Sequence, residues 1–125
     1  MSVFGSCPIY SIPMTRNHPE KILQLMILNQ LKLHRLAGDI LWFQTLAAES
    51  DVNCRAGTPD IISVVNCKDG TISLLFIEVK RPGIKKLRYE QQEFFNSMSG
   101  KPRILCVLIN DVSQLWPAIN KAKKL

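Results

Sequence analysis

Residues 57–80 read Gly57-Thr58-Pro59-Asp60-Ile61-Ile62-Ser63-Val64-Val65-Asn66-Cys67-Lys68-Asp69-Gly70-Thr71-Ile72-Ser73-Leu74-Leu75-Phe76-Ile77-Glu78-Val79-Lys80. Two β-branched runs, Asp60–Asn66 and Thr71–Val79, flank a segment ending in Asp69-Gly70, which is a hairpin signal. The loop length matters because side chains alternate between the two faces of a strand. A two-residue loop, Asp69-Gly70, sends Asp60 and Glu78 to opposite faces. A three-residue loop, Lys68-Asp69-Gly70, sets Cys67 against Thr71 and Asp60 against Glu78, on one face with Lys80. Three-residue loops favour Gly at their left-handed third position, where Gly70 stands, so we adopt that register.

Outward from the hairpin, Pro82-Gly83 stops the second strand. Leu87–Met98 reads as a helix closed by Gly100 and Pro102. Arg103–Ile109 is a near-continuous apolar run, expected as a strand covered on both faces. Asp111 is placed to cap a last helix that Pro117 should kink or split. On the other side, Pro19–Ala37 carries apolar residues at steps of three and four and ends at Gly38. Asp39–Thr45 is a strand, and Ala47–Thr58 a polar loop. The order is α-β-β-β-α-β-α, an α/β fold with a mixed central sheet flanked by helices.

The chain has 125 residues and 46% hydrophobic residues, which suits one domain, residues 1–125, with a buried core. Pro8 and Pro13 suggest an irregular N-terminal arm over residues 1–16. No run is long and apolar enough to span a membrane, and no secretory leader is evident. Cys7, Cys54, Cys67 and Cys106 are scattered without zinc-ligand spacing, as expected of free thiols in a reducing cytoplasm. With 16 Lys and Arg against 10 Asp and Glu, the net charge is +6, which favours a polyanionic partner.

Two carboxylates held side by side repel unless a cation sits between them. A hard divalent ion accepts such oxygens, and Mg²⁺ keeps several waters while doing so. Asp60 and Glu78, with Lys80 beside them, therefore suit metal-assisted phosphodiester hydrolysis. Arg81, Lys85, Lys86 and Arg88 follow at once, with no acid between Lys80 and Arg88. Such a cluster would hold a phosphate backbone near the carboxylates. His18 and His34 are too far apart along a helix to form a pair. Trp42, Phe43, Phe94, Phe95 and Trp116 read mainly as core.

Gly57-Thr58-Pro59-Asp60-Ile61-Ile62, Phe76-Ile77-Glu78-Val79-Lys80 and Leu87-Arg88-Tyr89-Glu90-Gln91 together resemble the PD-(D/E)xK nuclease superfamily, and within it the VRR-NUC (virus-type replication-repair nuclease) domain. The likeness implies a restriction-endonuclease-like core and an endonuclease acting on DNA. It implies Asp60, Glu78 and the Val79 carbonyl as ligands of Mg²⁺, with Mn²⁺ able to substitute, and Lys80 as the catalytic lysine. Gln91 matches the family's glutamine on the following helix. Glu20 matches an acid from the first helix, although three residues after Asn17 it also fits a capping box. Arg88 stands where the family usually has Ser or Thr, which leaves that helix without an obvious cap. Standalone viral or prophage members resemble dimeric Holliday-junction resolvases. That implies a homodimer on branched DNA in the cytoplasm of a bacterium or phage-infected host, with flaps, single strands or plain duplex as alternative substrates. A binding module that keeps the fold without catalysis is the other alternative.

Overall fold

The computed structural model describes residues 19–46 and 57–125. Three helices, α1 (Pro19–Leu36), α2 (Tyr89–Met98) and α3 (Leu115–Lys123), accompany four strands, β1 (Ile40–Thr45), β2 (Ile61–Asn66), β3 (Ile72–Val79) and β4 (Ile104–Ile109). The sheet order is β1-β2-β3-β4. The first three strands are antiparallel, and β4 joins β3 in parallel after the α2 crossover. The element order and mixed sheet are those expected from the sequence. The N-terminal arm, the proposed cap Asn17, His18, Cys7, Cys54 and most of the 47–58 loop lie outside the described residues.

Alternation on the strands divides the sheet into two unlike faces. Ile61, Val65, Leu75, Ile77 and Val79 project to one side and are at most 1% exposed. There they meet Leu23, Ile27 and Leu31 of α1 and Leu115 and Ile119 of α3, which form the core. The spacing of Leu23, Ile27 and Leu31 places all three on one helical stripe. At the end of α1, Asp39 N–H bonds the His34 carbonyl at 2.9 Å and Gly38 N–H bonds Arg35 at 3.1 Å. These two bonds form a Schellman motif, with Gly38 at φ +90° as its left-handed residue.

The opposite face carries Asp60, just before β2, and Ile62 and Val64 of β2 against Glu78, Phe76 and Leu74 of β3, and α2 covers part of it. Phe94 packs edge-on against Phe76, with ring centroids 5.2 Å apart. The hairpin loop has three residues: Cys67 N–H bonds the Thr71 carbonyl at 2.9 Å, and Gly70 adopts φ +84°. Ile61 then pairs with Ile77. Continuing that register by one residue sets Asp60 opposite Glu78.

Several details depart from expectation. Only Ile109 of β4 is fully buried; Ile104–Leu108 are half-buried, because among the described residues β4 is an outer strand. Asp111 caps a 3-10 turn, Val112–Gln114, and α3 starts directly after it. Pro117 falls in the first turn of α3, where its missing N–H costs nothing, so it does not kink the helix. Trp42 and Trp116 are 46% and 45% exposed, and Phe43, Phe94 and Phe95 are half-buried. These aromatics border the core rather than fill it. His34 is structural: it stacks on Trp116 and bonds Asp39 at 3.1 Å.

Gly57 locks the entry to β2 against α2. It adopts φ +90°, and a Cβ there would lie 2.4 Å from the Glu90 carbonyl oxygen. Gly57→Ala should therefore cost about 2–4 kcal/mol, combining left-handed strain with overpacking. Gly70→Ala meets nothing within 4 Å and should cost only about 1–2 kcal/mol of backbone strain. Urea unfolding of both variants measures the difference.

Candidate active site

Asp60 precedes β2, and Glu78 and Lys80 stand at and just beyond the end of β3, so all three meet at one end of the sheet. Asp60 Oδ2 accepts a 2.7 Å hydrogen bond from Val79 N–H, which ties the carboxylate across the hairpin. Lys80 N–H bonds the Ile109 carbonyl at 3.0 Å, which extends the β3–β4 ladder past Glu78. The Lys80 ammonium lies 4.0 Å from Glu78 Oε2, and both side chains are largely buried.

Gln91 completes the group from α2. Its Nε2 donates to Glu78 Oε2 at 2.9 Å, and its Oε1 accepts from Arg88 N–H at 2.8 Å. Gln91 thus supplies the cap that Arg88 cannot, reaching back from the third helical position. The same side chain that ends one orphan donor of α2 fixes the rotamer of Glu78. Burial makes this arrangement rigid, since Gln91 is 4% and Glu78 2% exposed.

Glu78 Oε1 is buried without a hydrogen-bond partner. An orphaned carboxylate oxygen in such a position is costly when ionised. Accordingly, burial first, then the charge of Asp60 and a hydrogen bond with it, push the Glu78 carboxyl up to about 8; Lys80 opposes the shift and Glu20 adds to it. An inward-facing oxygen on a hard carboxylate, beside a second carboxylate, fits a divalent cation with oxygen preference.

Glu20 lies exposed in the first turn of α1. Its charge reaches Glu78, but among the described residues no three acidic, His or Cys side chains gather closely enough to hold an ion together. The structure therefore brings Asp60, Glu78, Lys80 and Gln91 together and leaves Glu20 outside that group.

Arg81, Lys85, Lys86 and Arg88 are all exposed on the segment leaving β3. A turn bond from Ile84 N–H to Arg81, and a 2.9 Å bond from Asn110 Nδ2 to the Ile84 carbonyl, fasten that segment to the end of β4. Asn110 had no motif to mark it in the sequence; only the fold brings it to the loop. Beside the group, a mostly apolar cleft of about 540 Å³ opens between the start of α1 and Pro82-Gly83, with Asn110–Val112 as its third wall. The carboxylates do not line it, so the chemistry sits next to this cleft and not within it.

The sequence model of the VRR-NUC domain matches residues 12–106, most of the chain. The chain belongs to the VRR-NUC family. Its VRR-NUC domain is a nuclease domain of the PD-(D/E)xK type, and the four-stranded mixed sheet with flanking helices agrees with a restriction-endonuclease-like fold. No curated protein and no solved structure matches the chain. Among the described residues, no helix is long and apolar enough to cross a membrane. Cys67 and Cys106 are free, and burial pushes the Cys106 thiol up to about 11.

The raised Glu78 pKa has a definite sign for stability. Between pH 4.5 and about 8 the folded chain keeps a proton that the unfolded chain has released. Without divalent cations, folding stability should therefore fall as pH rises through that window, with a slope of up to about 1.4 kcal/mol per pH unit. Glu78→Gln should remove this component. Urea unfolding in chelator across the window checks it.

Proposed function

We propose that this VRR-NUC domain is a metal-dependent DNA endonuclease that selects branched DNA and works as a two-fold dimer. The observation that carries the reading is the buried Glu78 carboxylate, paired with Asp60, touched by Lys80 and left with one unsatisfied oxygen. A module that only bound DNA would gain nothing from buried acids that repel phosphate.

Asp60, Glu78 and the Val79 carbonyl would hold Mg²⁺, with Mn²⁺ able to replace it; Glu20, outside the group, would contribute only through its charge on Glu78. Once bound, the ion would supply Lewis acidity and lower the pKa of water. The protein's own groups supply the rest. Asp60 is oriented by Val79 N–H and Glu78 by Gln91, so neither carboxylate must reorganise when substrate arrives. Lys80 is positioned to hold the attacking water or to neutralise charge growing on the phosphate. Attack on phosphorus breaks the P–O bond, and the departing sugar oxygen takes up a proton. Arg81, Lys85, Lys86 and Arg88 would grip the phosphates on either side of the cut.

Branch selectivity follows from symmetry: a four-way junction has near two-fold symmetry, and a C2 dimer offers one site to each of two strands. Flaps, single strands and plain duplex remain the substrates against which this is measured.

Asp60→Asn should abolish cleavage of branched DNA in Mg²⁺, yet keep or strengthen binding. Asparagine retains an oxygen for Val79 N–H while losing the charge, so the hairpin end stays in place. Cleavage that persists in chelator, or in Asp60→Asn, would remove the metal-dependent mechanism. A separate assay concerns the basic segment. Lys85→Ala with Lys86→Ala should flatten the dependence of log affinity on log salt by up to about 1.8, at about 0.9 per lost phosphate contact. An unchanged slope would show that this segment faces away from DNA.

A further inference from the structure

We infer that β1 is the surface through which two copies of this chain join, edge to edge, into one continuous antiparallel sheet. The inference rests on the two-fold reading above and assigns its interface. Among the described residues β1 is an outer strand, paired only with β2. Leu46 N–H bonds the Asp60 carbonyl at 2.8 Å. By the alternation of an antiparallel ladder, Gln44 and Trp42 then turn their amides toward β2, while Phe43 and Thr45 turn theirs outward.

Soluble proteins blunt such edges with Lys, Pro or inward charges, because unpaired N–H and C=O groups template another strand. Ile40-Leu41-Trp42-Phe43-Gln44-Thr45 has none of these, and its register irregularity, between Ile40 and Trp42, leaves Trp42–Thr45 in unbroken pairing. Its lack of charge also favours one occupant. A two-fold axis brings like residues near like, so any charge on this edge would oppose its own copy. The nearest charged neighbour in sequence, Asp39, is already engaged by Lys123 and His34. Apolar surface flanks the edge on both sides of the sheet: Trp42 is 46% exposed on the α2 side, and Leu33 and Leu36 of α1 are 54% and 57% exposed. Arg35 stands over the Phe43 ring at 5.8 Å, which places this end of α1 beside the strand.

The geometry has a consequence for DNA. The axis relating antiparallel strands is perpendicular to the sheet, so both α2-side faces, each with its Asp60 and Glu78, look the same way. Five inter-strand steps separate the two β3 strands, a lateral distance of about 24 Å at 4.7–4.9 Å per step. The same axis runs the two β3 strands in opposite directions, so the two catalytic centres lie at opposite ends of one surface. They are further apart than this lateral step alone, and can meet two strands of one branched molecule.

The test uses the full chain, read by light scattering after gel filtration. Wild type should have dimer mass. Trp42→Lys with Gln44→Lys, and separately Trp42→Glu with Gln44→Glu, should weaken the dimer by about a hundredfold or more, since opposed like charges cost several kcal/mol. An equimolar mixture of the two variants should recover dimer mass, which misfolded chains could not do. Hydrogen exchange at the Phe43 and Thr45 amides should slow as wild-type concentration rises. A wild type of monomer mass, or a dimer that both variants preserve, overturns the inference. Cleavage by a monomeric chain would leave the nuclease reading standing and remove only this interface.

Discussion

Two carboxylates, Asp60 and Glu78, are held against each other at the end of a hairpin, one of them almost wholly out of water. Left alone they would separate or protonate, because both like-charge repulsion and desolvation disfavour the second negative charge. The fold prevents separation. The three-residue turn at Lys68–Gly70 sets the register, Val79 N–H takes one oxygen of Asp60, and Gln91 takes one of Glu78. What remains is protonation, visible in the raised carboxyl of Glu78. A polar group kept under such conditions is expensive, although the next residues on the same face of β3, Leu74 and Phe76, are apolar.

The rest of the molecule is arranged to keep that pair in place. Gly57 brings the backbone entering β2 against Glu90, so the start of α2 cannot shift without moving Asp60. Gln91 links the cap of α2 to Glu78, so helix and carboxylate move together. Asn110 then fixes the basic segment relative to β4. Charge that attracts phosphate and charge that repels it are therefore only a few residues apart, yet each is tied to a different element. Arg81, Lys85, Lys86 and Arg88 stay exposed on the basic segment.

Much of this was legible in the residues. Gly70 and the spacing around it were enough to choose the hairpin register, because a left-handed backbone position has few chemical solutions. The periodicity of α1 and the turn residues around α2 located both helices within two residues. Other features depend on long-range geometry and leave no local trace. Gly57 reads as one more loop glycine until Glu90 is seen beside it. Gln91 matches a family position, but its capping of α2 follows only from the Arg88 amide. The aromatics misled for a related reason. Trp42 and Trp116 sit in apolar periods that do predict strand and helix, yet their rings lie at the margin, where periodicity cannot say whether a layer covers them.

The two ends of the sheet divide stability from chemistry. At the hairpin-turn end, polar groups are paired. Ser73 Oγ donates to the Ala122 carbonyl at 2.8 Å, and Lys123 and His34 share Asp39. Arg103 accepts a left-handed backbone, φ 62°, while its side chain reaches Thr71, Asp69 and the Leu125 carbonyl. At the other end, where β3 finishes, the same sheet leaves a buried carboxylate oxygen without a partner. The α1–α3 core lies beneath both. A fold of this size has little stability to spare, so an unsatisfied buried oxygen persists only where the remaining structure is well enough paired to carry it. The closed end and the α1–α3 core together hold the open one in a state that water alone would not choose.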